Sequence, residues 1–319
     1  MAKIWVIGEP TAGSTGYKTT LEILTKASGL GGEVSAVTLG PGSAEAAKAF
    51  GEHGASTVYA SDAPVFTESI GAASAHAIAA LVAEHQPDLL LFPATYDARD
   101  IAGRLSAKLD ATLVNNVTDL KDADTAIVPI FGGSKIVEVA LTGSPRIVLI
   151  RPKSFEASPS GGSASVVEVS SDIPAEAVGA KVTAKHEEAT AGVKLEDASV
   201  VISGGRGLQQ ADNFKLLEEL SGLIPNSAVG ATRAVVDAGW VPYALQIGQT
   251  GKTVKPKVYL AVGISGATQH IVGMKSSDRI IAINKDEEAP IFSLADLGIV
   301  GDALKIVPQL NEEVKSRKG

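Results

Sequence analysis

The chain of 319 residues contains no cysteine. This absence excludes disulfide bonds, cysteine-ligated iron–sulfur clusters and thiol nucleophiles, so any redox role requires a bound organic cofactor or a partner chain. Aromatic residues are also scarce, at 4%, whereas glycine occurs 33 times. Such a composition favours helices packed tightly on sheets in α/β layers over an aromatic-rich β-sandwich.

Long apolar runs and an excess of basic residues are missing as well. No run approaches the roughly 20 apolar residues that span a bilayer, so we expect no membrane insertion. The net charge of −8 makes nonspecific binding to nucleic acid unfavourable. The apolar stretch within residues 1–8 is too short for a signal peptide and predicts a first strand instead. Together these features predict a cytoplasmic protein.

The first half of the chain alternates short apolar runs with alanine-rich segments. The predicted strands are 4–8, 34–39, 57–60 and 89–93, and the predicted helices are 17–28, 44–53, 68–85 and 98–109. Four β-then-α units within about a hundred residues predict a mostly parallel sheet with helices on both faces. Later strands are predicted at 126–131, 134–141 and 146–150, close enough for antiparallel pairing, and exposed strands at 166–169 and 181–186.

The α/β pattern restarts in the second half, after a stretch near 187–195 in which charged and small residues replace apolar runs. We place the boundary there, between domains of residues 1–190 and 191–319. The second domain has predicted strands at 199–203, 258–262 and 280–284. Its predicted helices are at 212–223, with Asp212 as N-cap, and at 303–315. The sequence therefore predicts two doubly wound α/β domains.

Several motifs in the first half have plain explanations. Residues 8–15 have the spacing of a phosphate-binding loop, but Ser14 stands where its lysine belongs, which disfavours ATP hydrolysis and favours a glycine-rich turn. Asp100 and Arg104, four residues apart on a predicted helix, are interpreted as an exposed ion pair. No second ligand stands at metal spacing from the following histidines, so no metal site is predicted: His53, His76, His85 and His186.

Three residues of the second half lie in loops where a ligand is plausible. Small residues before His270 let a ligand approach the backbone, although a partly buried helix histidine is the plainer interpretation. Arg206 lies between glycines whose backbone N–H groups would form a concave run suited to a pyrophosphate. Equally, Arg206 would close a turn and Arg233 would pair with Asp237, so the residues alone leave both interpretations open.

Five segments of the second half resemble, in order and spacing, the flavin-binding half of the electron transfer flavoprotein α subunit. They are SGGRGL (203–208), ATR (231–233), IGQTGK (247–252), GISGATQH (263–270) and IAINKD (281–286). The resemblance extends from about residue 200 to residue 308, and the first half is similar to the first domain of that family through weaker motifs. It implies a parallel-sheet FAD-binding domain at the C-terminus and a nucleotide-hydrolase-like Rossmann variant at the N-terminus.

The resemblance also implies a role for each matching residue. Arg206 would lie at the diphosphate and Arg233 against the isoalloxazine ring. Thr232 stands where the family often has serine, and it would keep the hydroxyl group of that residue. The remaining residues form three groups: Ile247, Gly248, Gln249 and Thr250, with the Thr250 hydroxyl near flavin N5; Ser265, Gly266, Ala267, Thr268, Gln269 and His270 beneath the flavin and ribityl chain; and Asn284 and Asp302 at the adenosine end. His270 would lie near the carbonyl O2, and with the cation Arg233 it would favour the first electron step, whose negative charge concentrates around N1 and O2.

The implied function is that of an electron carrier without substrate turnover of its own. One FAD would lie in the second domain, in a groove completed by an electron transfer flavoprotein β subunit that the first domain contacts. Electrons would come from acyl-CoA or other flavin dehydrogenases, as in fatty acid β-oxidation, and leave to a membrane quinone oxidoreductase. Two alternatives remain: an enzyme subunit using NAD or a thiamine-type cofactor, although 203–208 lacks a complete G-x-G-x-x-G, and an adenine-nucleotide-binding module without a redox role.

Overall fold

The computed structural model describes residues 1–184 and 192–318. The chain divides into two compact units, Met1–His186 and Glu187–Gly319, each with a parallel sheet of its own. The predicted α/β class is therefore confirmed. The boundary predicted between residues 190 and 191 lies outside the described residues and stays a prediction.

The first unit contains two sheets. Its strands within residues 1–184 are Lys3–Gly8 (β1), Glu33–Leu39 (β2), Thr57–Ser61 (β3), Leu89–Pro93 (β4), Leu113–Val117 (β5), Asp119–Asp122 (β6), Thr125–Ile130 (β7), Lys135–Ala140 (β8), Arg146–Ile150 (β9) and Ser165–Glu168 (β10). Seven of them form a parallel sheet in the order β10-β3-β2-β1-β4-β9-β5, and β6-β7-β8 form an antiparallel sheet.

Helices cover both faces of the seven-stranded sheet. They are Thr15–Ser28 (α1), Ser43–Glu52 (α2), Val65–Glu68 (α3), Ile70–His85 (α4) and Tyr96–Leu109 (α5). Alternate residues of β1 enter different cores, Val6 on one face and Trp5 on the other, as expected for a doubly wound sheet. The hydroxyl of Ser14 accepts a hydrogen bond from the Tyr17 amide at 3.0 Å. The residue that replaces the phosphate-loop lysine is thus the N-cap of α1.

One predicted pairing is confirmed and another is wrong. The strands predicted at 126–131 and 134–141 correspond to β7 and β8, which pair antiparallel. The strand predicted at 146–150, however, is β9, which lies parallel between β4 and β5, with Ile147 opposite Leu90. Its side chains from Ile147 to Ile150 are all buried. An apolar run without alternation is typical of a central parallel strand, and this explains the correction.

The exposed strand predicted at 166–169 is confirmed, since β10 covers most of it at the edge of the sheet. Of the strand predicted at 181–186, residues 181–184 form no strand, and the remainder, with His186, lies outside the described residues. The Asp100–Arg104 pair is an exposed ion pair at 2.9 Å, as predicted. Within the described ranges, no helix is long and apolar enough to cross a membrane.

The second unit is a five-stranded parallel sheet in the order β12-β11-β13-β14-β15. Its strands are Val200–Gly204 (β11), Ser227–Ala231 (β12), Val258–Val262 (β13), Ile280–Asn284 (β14) and Leu297–Val300 (β15), and its helices are Phe214–Leu223 (α6), Arg233–Asp237 (α7), Thr268–Ile271 (α8) and Ala303–Lys318 (α9). The chain passes from β11 to one side for β12 and then to the other side for β13. The order therefore reverses between β11 and β13, which is where doubly wound sheets bind ligands.

The start of α6 differs from the prediction. The helix begins at Phe214 after a short 3₁₀ turn, so its N-cap is Asn213 and not Asp212. The Asp212 carboxylate instead accepts a hydrogen bond from the Lys215 ammonium at 3.0 Å, and both side chains are exposed. The turn moves the true helix start two residues along the chain, which leaves Asp212 outside capping position.

Candidate functional site

A cleft of about 610 Å³ opens within the second unit, at the carboxyl end of its sheet. Its walls are the segments that follow β11, β12, β13 and β14, together with the loop at 246–250. Because the strands are parallel, their carboxyl ends meet at one edge of the sheet and bring these segments together. The cleft includes the segments after β11 and β13, where the strand order reverses.

Most of the predicted site residues line this cleft: Arg206, Thr232, Arg233, Ile247, Gly248, Gln249, Thr250, Ser265, Ala267, Gln269, His270 and Asn284. Three do not. Gly266 has a φ of +87° and packs on Ile291, whose amide nitrogen would lie 2.3 Å from an added Cβ. Asp302 accepts a hydrogen bond from the Leu304 amide at 3.0 Å just before α9. Thr268 is the exposed first residue of α8.

Further lining residues were missed by the sequence prediction: Gly205, Gly207, Ala234, Asp237, Gln246, Gly263, Ile264, Lys285 and Asp286. Most of them directly follow a strand or adjoin a predicted residue, so the position of strand ends was a signal that would have found them. The contact between Gly207 and Gly263 had no such signal. Their backbones touch so closely that a Cβ on Gly207 would lie 2.5 Å from the Gly263 Cα.

The glycine amides of the loop around Arg206 bond within the fold, as in the interpretation of this loop as a turn. The Gly205 amide donates to the Val262 carbonyl at 3.0 Å, and the Gly207 amide donates to the Gly263 carbonyl at 2.9 Å. The next amide, of Leu208, donates within the loop. The exposed guanidinium of Arg206 is a charged donor that this loop offers to an anion.

Arg233 pairs with Asp237, which is one of its two predicted arrangements, and it also lines the cleft. Its Nε lies 3.1 Å from Oδ2 of Asp237, one turn along α7, and the two side chains are 66% and 61% exposed. Three cationic side chains line the cleft, those of Arg206, Arg233 and Lys285. Two carboxylates also line it, those of Asp237 and Asp286. On a chain with a net charge of −8, this excess favours an anionic ligand locally.

The loop between β12 and β13 that carries Thr250 is tightly closed. An isolated bridge pairs Ile247 with Lys252, whose carbonyl accepts from the Gly248 amide at 3.1 Å. Gly248 has a φ of +141°, and a Cβ there would lie 2.6 Å from the carbonyl oxygen of Gln269. Only glycine is compatible with this close approach. The loop therefore presents Thr250 from a defined backbone.

His270 is buried, with 6% of its surface exposed. Its Nδ1–H donates to the Ile247 carbonyl at 3.0 Å, and its Nε2 accepts from the Tyr259 hydroxyl at 2.8 Å. Burial lowers the pKa of His270 to about 4, although the bond to the Ile247 carbonyl acts in the opposite direction. The ring is thus neutral near pH 7, and a hydrogen bond from it to a ligand requires exchange of one of these partners.

The residues fit the FAD implied by the resemblance. The cleft volume lies within the range of roughly 300–1,000 Å³ that is usual for small-molecule sites. Its donor set combines guanidinium and ammonium groups, suited to a diphosphate, with hydroxyl and amide groups, suited to a polar ring edge. Both polar atoms of the Asn284 side chain bond within the protein. Its Nδ2 donates to the Ile264 carbonyl at 2.9 Å, and its Oδ1 accepts from the Asp286 amide. It therefore shapes the loops on that side of the cleft.

Comparison with known families accounts for both units. Residues 4–174 match the electron transfer flavoprotein domain, and residues 194–275 match the electron transfer flavoprotein FAD-binding domain. The second match contains most of the cleft residues, including those around Thr250 and His270. The FAD cofactor expected from the sequence is thus confirmed at the level of the domain.

Individual relatives agree over the whole length. The chain is 41% identical to the electron transfer flavoprotein subunit alpha of Mycobacterium leprae, with all of both chains covered. It is 38% identical to the corresponding subunit of Syntrophomonas wolfei, covering 99% of this chain and all of that one. For the subunit of Pseudomonas aeruginosa the identity is 39%, over 92% and 94% of the two chains. This chain belongs to the family of electron transfer flavoprotein α subunits.

Proposed function

We propose that the chain is the FAD-holding subunit of a heterodimer with an electron transfer flavoprotein β subunit. The complex takes electrons from flavin dehydrogenases, such as those acting on acyl-CoA in fatty acid β-oxidation, and passes them to a membrane quinone oxidoreductase, working in the cytoplasm without substrate turnover of its own. The observation that carries the proposal is the cleft at the carboxyl edge of the FAD-binding domain, where guanidinium, hydroxyl and amide groups converge. The two alternative hypotheses receive no support from the comparisons.

We assign the cleft residues the roles that the resemblance implies. Bound FAD supplies the one-electron chemistry, and the chain holds the cofactor and adjusts its potential. Arg206 would hold the diphosphate, Arg233 would pack against the isoalloxazine ring, and Thr232 would keep the hydrogen bond of the serine that is frequent at its position. The Thr250 hydroxyl would approach flavin N5, and His270 would approach O2. The other predicted residues support the loops that carry Thr250 and His270 or the adenosine end: Ile247, Gly248, Gln249, Ser265, Gly266, Ala267, Thr268, Gln269, Asn284 and Asp302.

The first unit, within the predicted domain 1–190, offers a surface for the partner. Phe131, in the turn after β7, and Ile136, near the start of β8, are 78% and 70% exposed. Large apolar side chains projecting from a hairpin are unfavourable in water and are stabilised when another chain covers them. We propose that the β subunit packs on this hairpin.

Coexpression with the β subunit tests the proposal. We expect a one-to-one complex by sedimentation, with one FAD bound by this chain and the yellow colour of a flavoprotein. Ile136→Asp is expected to weaken assembly at least tenfold, because a charge would be buried against the partner. Ala44→Asp places the same charge on an exposed site of α2 and is the matched control. The proposal would be overturned by a colourless complex, or by a chain that is saturated with flavin and does not bind the β subunit.

A further inference from the structure

The hydroxyl of Thr250 has a partner that sequence analysis did not single out. Gln246 is 3% exposed, and its Nε2 donates to Thr250 Oγ1 at 3.0 Å. This polar side chain is buried at the point where the chain forms a bridge to Ala231, the last residue of β12. The Gln246 amide donates to the Tyr243 carbonyl at 2.9 Å, and its carbonyl accepts from the Lys252 amide at 2.8 Å. The backbone of Gln246 is thus fixed on both sides, and its side-chain amide reaches Thr250 from that position.

Thr250 is held from a second direction as well. The hydroxyl of Tyr243 donates to the backbone carbonyl of Thr250. The loop is further restrained where the Gly251 amide donates to the Gly248 carbonyl at 3.1 Å. Gly251 itself is required, because a Cβ there would lie 2.4 Å from the Gln246 carbonyl oxygen. Both the backbone and the side chain of Thr250 are therefore positioned, while the residue remains exposed at the cleft.

The direction of the Gln246–Thr250 bond has a chemical consequence. A threonine hydroxyl has one proton to donate and lone pairs that accept. Because a lone pair of Oγ1 receives the amide N–H of Gln246, the hydroxyl proton is not given to Gln246 and is available to the cleft. If a carboxylate stood in place of the amide, it would only accept, and the hydroxyl proton would turn toward it.

We propose that Gln246 is a positioning residue that orients the Thr250 hydroxyl as a hydrogen-bond donor toward FAD. This inference rests on the proposed placement of Thr250 beside the flavin ring. In oxidised flavin, N5 carries a lone pair and has no proton, so it is served by a donor and not by an acceptor. Because Gln246 donates to the Thr250 hydroxyl, it leaves that hydroxyl to act as a donor toward N5.

A double-mutant cycle on the assembled, FAD-loaded heterodimer tests this inference. The variants are Gln246→Glu, Thr250→Val and the pair together, and the readouts are the FAD dissociation constant and the flavin midpoint potential. Gln246→Glu is expected to weaken binding of oxidised FAD about five- to tenfold, as for the loss of one hydrogen bond, and to shift the potential. In the Thr250→Val background the same change is expected to have a clearly smaller effect.

The second background separates hydrogen bonding from charge. The negative charge of a glutamate acts on the flavin in both backgrounds, so the difference between them isolates the contribution made through Thr250. Thr250→Ser keeps the hydroxyl and is the matched control, in which the full effect of Gln246→Glu is expected to return. Gln246→Met, which removes the donor without adding charge, serves if the glutamate variant fails to fold, and it is expected to weaken binding only when residue 250 has a hydroxyl.

Each outcome bears on a different statement. If Thr250→Val changes neither affinity nor potential, the placement of Thr250 in the proposed function is wrong, and the inference falls with it. If Thr250→Val has an effect but Gln246→Glu acts equally in both backgrounds, only the inference is overturned. A Gln246→Glu protein that behaves like the wild type would show that the hydroxyl already donates to this side chain, which also overturns the inference.

Discussion

His270 is expected to remain uncharged until the pH falls to about 4, and its protonation should then destabilise the second unit. The imidazole is buried with both nitrogens bonded, one to the Ile247 carbonyl and one to the Tyr259 hydroxyl. Burial lowers its pKa from the ordinary value of 6.5 to about 4. A protonated ring would also lose the acceptor that the Tyr259 hydroxyl now uses, so the charged form is disfavoured both by solvation and by geometry.

The sign and size of the effect follow from this difference in pKa. Between pH 6.5 and about 4, the unfolded chain binds a proton at His270 and the folded chain does not. The contribution to stability is therefore complete above pH 6.5 and is lost as the pH falls toward 4. A pKa difference of this size corresponds to about 3 kcal/mol in the free energy of unfolding.

Two measurements check the prediction. NMR titration of the imidazole signals, assigned with His270→Gln, should show no His270 protonation until about pH 4. Urea unfolding at pH 7.5 and 4.5 should then show a loss of stability that is about 2.5 kcal/mol smaller in His270→Gln than in the wild type, because pH 4.5 lies just above the folded pKa. The chain has two tryptophans, so a Trp5→Phe background leaves Trp240 to report on the second unit.

A control variant tests whether the effect belongs to this site. His76→Gln changes a histidine of the first unit and is expected to leave the pH dependence of the Trp240 transition as it was. Titration of His270 near pH 6.5, or an equal pH dependence in the wild type and His270→Gln, would refute the inference that burial keeps the ring neutral.

Other predictions concern the walls of the cleft. Gly248→Ala should destabilise the second unit by about 1–3 kcal/mol and abolish FAD retention, because the added Cβ would meet Gln269 at a strained φ. Gly222→Ala, with nothing within 4 Å of the new methyl group, should instead be neutral or about 0.5–1 kcal/mol stabilising in urea unfolding. Potentiometric titration should show a lower flavin potential in Arg233→Ala and a higher one in Asp237→Ala. Each shift should correspond to less than about 1 kcal/mol, because both side chains are exposed. Shifts of the two variants in the same direction would contradict this prediction.

The three central strands of the second unit and the place of its cleft were predictable from local sequence, whereas the edge strands β12 and β15 were not predicted. An apolar run such as Val258–Val262 predicts a buried strand because both of its faces are covered. Polar and small residues directly after such runs, as around His270, then lie at the ligand-binding edge of a parallel sheet. The same rule accounts for Asn284, which ends β14. Each of these predictions depends only on residues that are neighbours in sequence.

Contacts between distant residues were not predictable in the same way. The loops at Gly207 and Gly263 touch only because β11 and β13 are adjacent, and local periodicity contains no information on strand order. The Gly205 and Gly207 amides bond to Val262 and Gly263 through this adjacency, which the glycines of the Arg206 loop do not reveal. Gln246 is buried because Ile247 bonds to the end of β12, which a polar residue in a loop does not reveal.

The position of β9 determines when β5 can join the large sheet during synthesis. β5 is an edge strand whose neighbour is β9, and β9 begins only at Arg146, roughly 30 residues after β5 ends. At about 5–20 residues per second, this delay is on the order of seconds. In that interval the β6–β8 sheet can form from local contacts, whereas β4 and β5 expose unpaired edges. A ribosome that stalls before β9 has emerged is therefore expected to hold an aggregation-prone chain, and one that stalls after β9 has emerged a chain in which β9 pairs with both β4 and β5.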